Sequence, residues 1–212
     1  MIRKIMFSAL AMVLFSTATA SAGVAYNVGW ASEYYFRGIL QKTSSASAGV
    51  DFDQNGFYVG AWTADVGDGL EYDLYFGYGI ETESGLSASV GYTGYFYTGE
   101  FDDTYKEVNF NAGYGVLGIE YTVGEWEGFG SPSDYNFLAL SLDLGKGFSG
   151  TYGTFGDEAD GDYFEIAYGT TISDIDVGVS LILNSEELSD QDNASGNDDS
   201  GQAIVFTLGK SW

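Results

Sequence analysis

The chain has 212 residues, with 31 acidic against seven basic side chains, a formal net charge of −24, and neither histidine nor cysteine. That balance makes nucleic acid and anionic surfaces poor partners. It also leaves no disulfide framework and none of the Ser-His or cysteine nucleophiles that most hydrolases use. The 17% aromatic content beside 31 glycines and one proline suits strands that are apolar on one face and small or polar on the other.

The first 22 residues read as a cleaved secretory leader. A basic start, Met1-Ile2-Arg3-Lys4, is followed by an apolar run from Ile5 to Phe15 and by the small-x-small site Ala20-Ser21-Ala22. The remainder, 23–212, is expected to be one domain. No later segment approaches the roughly 18 apolar residues of a spanning helix, so the mature chain is either an exported soluble β protein, such as an adhesin, or a membrane barrel.

From Val24 to Gly38 the even positions Val24, Tyr26, Val28, Trp30, Tyr34 and Phe36 are apolar or aromatic, while Ala25, Asn27, Gly29, Ala31, Glu33 and Arg37 are small or polar. This is a period-two strand, long for a soluble sheet and suited to a tilted membrane crossing. After a polar loop expected at Leu40 to Ser44, the pattern returns at Ala46 to Phe52 and is closed by Gln54-Asn55-Gly56. Phe57 to Val66 is apolar on both faces and its orientation stays open. Leu70, Tyr72, Leu74, Phe76, Tyr78 and Ile80 then oppose Glu71, Asp73, Tyr75, Gly77 and Gly79. Further runs begin at Leu86, Val108, Ile119, Leu138, Phe148, Phe164, Ile175 and Ile204, about twelve strands in all.

The connections sort by length. Those after even-numbered strands are tight, as at Gly115-Val116 or Gly145 to Gly147; most of those after odd-numbered strands are longer and polar, as at Thr98 to Thr104 and Asn184 to Gly201. Alternating long loops and tight turns predict an all-β, single antiparallel transmembrane β-barrel with both termini at the short-turn end. A Greek-key sandwich has no reason to alternate in this way. The last strand ends on the aromatic Trp212, which resembles the terminal signal by which such barrels engage the barrel-assembly machinery.

Three segments also carry a family resemblance: Ser32-Glu33-Tyr34-Tyr35-Phe36-Arg37-Gly38-Ile39, Gly56-Phe57-Tyr58-Val59-Gly60-Ala61-Trp62 and Glu71-Tyr72-Asp73-Leu74-Tyr75-Phe76-Gly77-Tyr78. Together they resemble the TorF family of porin-like proteins, with Glu33 in place of the family aspartate and Thr63-Ala64 departing from a small-serine pair. The match covers about the first third of the mature chain. It implies the outer membrane of a Gram-negative bacterium, membrane lipid and small solutes or cations as partners, and a channel role. It does not imply a substrate.

With the apolar faces toward lipid, the opposite faces define a lumen. This places Glu33, Arg37, Glu71, Asp73, Glu107 and Glu165 toward the extracellular half, Asp51, Glu120, Asp143 and Asp176 toward the periplasmic half, and Asn109 and Asn111 between them, while the inward Tyr35 and Tyr75 either line a constriction or simply pack. Arg37 is the one basic residue placed inside, and the acidic surplus predicts a cation-preferring pore. A structural cluster without transport is the alternative for the same residues. Glu71 and Asp73 have the chemistry for acid–base work, but lumen charge explains them more simply, so neither catalysis nor a cofactor is expected. Asp190-x-Asp192-x-Ala194-Ser195 lacks the ligand and glycine positions of an EF-hand, so a solvated loop is expected over 184–201 rather than a calcium site.

Overall fold

The structure is a computed structural model that describes residues 23–128, 130–189 and 201–212. The expected leader and residues 190–200 of the expected 184–201 loop, with Asp190, Asp192, Asp198 and Asp199, lie outside the described residues, whereas Glu186 and Glu187 of that loop are described and belong to a short helix. Twelve strands follow one another: β1 (Gly23–Phe36), β2 (Ile39–Gln54), β3 (Phe57–Gly67), β4 (Gly69–Glu81), β5 (Leu86–Tyr97), β6 (Tyr105–Tyr114), β7 (Leu117–Trp126), β8 (Ser133–Gly145), β9 (Phe148–Asp157), β10 (Asp162–Ile172), β11 (Ile175–Asn184) and β12 (Gln202–Ser211), with one short helix, α1 (Glu186–Ser189), before β12. Each strand pairs antiparallel with its sequence neighbours, and β1 meets β12 to close the barrel. The C-terminal residue completes the seam: Trp212 N–H donates to the Tyr26 carbonyl at 3.0 Å, and Tyr26 N–H donates to that of Trp212 at 3.2 Å.

Which face is buried decides between barrel and sandwich. On β4 the apolar set from Leu70 to Ile80 is 39–54% exposed, whereas Glu71 and Asp73 on the other face are 2% exposed. A soluble sandwich buries its apolar faces against each other. Here they form the outer surface, which only lipid would cover, and the polar faces turn inward.

The turns explain the strand register. Arg37-Gly38, Asn55-Gly56, Lys146-Gly147 and Ser173-Asp174 carry positive φ at both central residues, the conformation whose twist matches paired strands in a two-residue hairpin. The first of these corrects the sequence reading. Leu40 to Ser44 is not a loop; it belongs to β2, and the chain reverses at Arg37-Gly38 instead.

That shift creates a local departure from the barrel wall. Toward the hairpin tip, β1 pairs with β12 no further than Ala31, and β2 pairs with β3 no further than Ser47. Between them, Glu33 to Phe36 pairs with Ile39 to Thr43, so the distal hairpin is laddered to itself and, among the described residues, to no flanking strand. Its root is marked by Ser32, whose Oγ accepts the Phe206 N–H at 2.9 Å, and by Ser44, which has φ +57.

Candidate functional site: an arginine held across the barrel

Released from the wall, the hairpin turns its aromatic face inward. Tyr34 is 2% exposed, donates its hydroxyl to Glu71 Oε1 at 2.7 Å, and packs with Ala64, Val66 and Trp62. Phe36 meets the buried ring of Tyr95 at 5.5 Å. Both residues are therefore corrections to the sequence reading, which gave them to the lipid. Glu33 and Tyr35 alternate with them and occupy the other face of the hairpin, half-buried.

The tip is clamped from one side and reaches to the other. Asn184 Nδ2 donates to the Gly38 carbonyl at 2.9 Å, and a Cβ on Gly38 would lie 2.7 Å from Tyr163 Cβ and 3.0 Å from Leu188 Cδ1. From this anchorage near β10, β11 and α1, the Arg37 side chain extends to β6 and β7. Its Nη1 is paired with Glu107 Oε1, while Nη2 reaches Glu107 Oε2 at 3.2 Å and Glu120 Oε1 at 2.8 Å. The guanidinium carbon also sits 4.2 Å from the Phe137 ring centroid and 4.9 Å from that of Phe36. Bidentate pairing with stacking on both rings is a combination that arginine makes and lysine does not.

The carboxylate that receives it has further partners on the wall. Glu107 also accepts from Tyr135 at 2.6 Å, Tyr95 at 2.9 Å and Asn109 at 2.9 Å, and its side chain has no exposed surface. Asn109 is itself tied to Thr93 at 3.0 Å and Thr122 at 3.1 Å, and Thr122 donates to Glu120 at 3.2 Å. These partners stand on β5 to β8, in regular ladders.

The other expected lumen residues divide. Tyr75 donates to Asp51, which also receives a long 3.4 Å contact from Asn27. Glu165 is half-buried, and Asn111 is half-buried opposite Glu120. Asp73 is buried, with one oxygen that makes no hydrogen bond. Asp143 and Asp176 instead serve the tight turns. Asp143 is exposed and accepts the Gly145 N–H at 2.8 Å, and Asp176 accepts from Thr171 at 2.6 Å. The remaining paired lysines lie away from this network: Lys42 pairs with Asp65, and Lys106, at the outer end of β6, pairs with Glu127. Sequence reasoning missed Tyr34, Phe36, Tyr95, Tyr135 and Phe137 as interior groups. The available signal was strand length, since β1 and β2 have 14 and 16 residues against 10 and 11 for the flanking β12 and β3.

A closed antiparallel barrel, apolar outside and crossed inside by a buried ion pair, defines the class: a transmembrane β-barrel with an occupied lumen. The chain belongs to the family described as "Bacterial protein of unknown function (Gcw_chp)", whose model matches residues 16–182. No curated protein has a significantly similar sequence. Among solved structures the fold is similar to the NanC porin, at 12% identity and a TM-score of 0.53, covering 88% of this chain and 98% of that one. OpdK of Pseudomonas aeruginosa, crystallised with vanillate, aligns at 15% identity and a TM-score of 0.40. OccAB2 of Acinetobacter baumannii aligns at 10% identity and the same TM-score. The chain covers 57% and 65% of the length of those two proteins.

Proposed function

We propose that the protein is an outer-membrane channel of a Gram-negative bacterium for passive diffusion of small hydrophilic solutes, that it prefers cations, and that the β1–β2 hairpin narrows its lumen. The observation that carries this reading is the inward set of carboxylates, Glu71, Asp73, Glu107, Glu120 and Glu165, against which Arg37 is the one basic side chain bonded among the described residues. Acidic linings raise the local concentration of cations and exclude anions. The NanC-like fold and the TorF-like motifs support the porin reading, and Trp212 at the barrel seam fits a strand handed over by the assembly machinery. Planar-bilayer recording tests it: the purified protein should conduct, and in a salt gradient its reversal potential should have the sign of a cation-selective pore.

The occupied lumen favours a second reading, a sealed barrel with a structural role. A silent bilayer, beside protein shown to be folded by heat-modifiable migration, would replace the channel with that reading.

A further inference from the structure

The network around Arg37 joins two bodies that the fold keeps separate. One is the wall, where Glu107 and Glu120 stand in continuous ladders, and Glu107 has three further donors, Tyr95, Tyr135 and Asn109, all on wall strands. The other is the hairpin, which is laddered only to itself beyond Ser32 and Ser44. The wall half presents a carboxylate with both oxygens aimed at a planar fork, a second carboxylate beside it, and the Phe137 ring to stack on. Such a surface discriminates by shape as well as charge. A metal ion would have to give up hydrating water to meet the ring, and among the described residues no three acidic groups are grouped to hold one. A rounded ammonium ion cannot offer the two parallel N–H bonds with which a planar guanidinium matches both oxygens of one carboxylate.

We infer that the Glu107–Glu120–Phe137 surface is a lumenal recognition site for cationic solutes bearing a guanidinium or an equally planar cation, and that Arg37 occupies it as a tethered surrogate which the solute displaces. The inference rests on the channel reading and names its substrate class. Because Arg37 is attached to the barrel, its effective concentration at the site is of millimolar order or higher. A free solute must therefore compete, which suits a channel, where binding has to be weak enough for release.

The test records single-channel current in potassium chloride while methylguanidinium is titrated in, with tetramethylammonium as a control of equal charge and no planar donors. In Arg37→Ala, methylguanidinium is expected to interrupt the current at a concentration about tenfold or more below that needed in wild type. Tetramethylammonium, which keeps the charge and the attraction to the ring but has no N–H donors, should gain far less than methylguanidinium from the removal of Arg37, and adding Glu107→Gln to the variant should abolish the methylguanidinium sensitivity. Equal sensitivity of wild type and Arg37→Ala, or equal action of the two cations, overturns the site. If both proteins are silent in potassium chloride alone, the channel reading fails separately, and melting in detergent then decides the site. Methylguanidinium raises the Tm of Arg37→Ala but not of Arg37→Ala/Glu107→Gln if the site exists, and shifts them equally or not at all if it does not. Should Arg37→Ala not fold, Arg37→Met keeps the apolar stem and carries the same comparisons.

Discussion

Replacing Arg37 by alanine probes the most heavily bonded point in the barrel. The variant removes a guanidinium whose side chain is 8% exposed from a glutamate that is fully buried. Removing one partner of a buried ion pair generally costs about 3–5 kcal/mol, because the other charge is left without compensation. Here the stranded Glu107 keeps three donors, from Tyr95, Tyr135 and Asn109, which moves the expected loss to the lower end, about 3 kcal/mol. Glu120, 15% exposed, retains Thr122 and adds little. Urea unfolding in a single detergent, with free energies extrapolated for wild type and variant, gives the difference. Arg37→Lys should fall between the two, keeping the charge and losing the fork. Arg37→Ala/Glu107→Gln should be more stable than Arg37→Ala, since the uncompensated charge has gone. A loss below about 1 kcal/mol in Arg37→Ala, in the range of a solvent-exposed pair, would show that the arginine lies in water and that the hairpin does not close the lumen.

Three further outcomes follow from the same geometry. Tyr34→Phe should cost about 1–3 kcal/mol by leaving buried Glu71 without its donor, and a neutral effect on the unfolding free energy would return Tyr34 to the lipid face. Gly38→Ala places a side chain at φ +85 against Tyr163 and should loosen the hairpin tip, giving a lower unfolding midpoint together with larger, noisier single-channel currents; unchanged currents would mean that the tip does not obstruct the pore. Asp102, in the loop between β5 and β6, has its carboxyl pushed above the ordinary aspartate range, because burial outweighs the donors from Asp103, Tyr105 and Trp126. A raised acid favours the folded loop when protonated, so that contribution is complete below the ordinary aspartate value and is lost as pH rises through the folded one. The fluorescence difference between wild type and Trp126→Phe should follow this window, and Asp102→Asn should flatten it.

The wall of the barrel was legible because two physical constraints act on every residue of it. Lipid selects an apolar face and the ladder forces period two, so a run such as Leu70 to Ile80 announces both its strand and its orientation. Beyond Ser32 the second constraint persists and the first is lifted. Tyr34 and Phe36 satisfy an aromatic interior as readily as a membrane girdle, and alternation alone does not separate the two environments. The signs of the turn were present in Arg37-Gly38, a pair suited to positive φ through its glycine, and in the mismatch of strand lengths. Glu107 and Glu120 could be assigned a face from their own strands. Their joining through Arg37 could not be read, since that contact spans 70 and 83 residues of sequence and depends on a hairpin leaving the wall.

Arg37, the one arginine among the described residues, also links the two properties expected of the proposed pore. While the hairpin is seated, Arg37 offsets one negative charge and covers two carboxylates inside the barrel. On the channel reading proposed above, a hairpin that leaves takes the obstruction and the positive charge with it, and Glu107 and Glu120 then face the lumen. Conductance and cation selectivity should therefore rise in step across variants that loosen the hairpin, whether they act at Arg37, at Gly38 or at the Asn184 clamp. Asn184→Ala separates this from a purely local charge effect, because it frees the tip while leaving every lumen charge in place. Higher conductance with an unchanged reversal potential in Asn184→Ala would mean that the hairpin moves without uncovering the glutamates, and that selectivity is set elsewhere in the barrel.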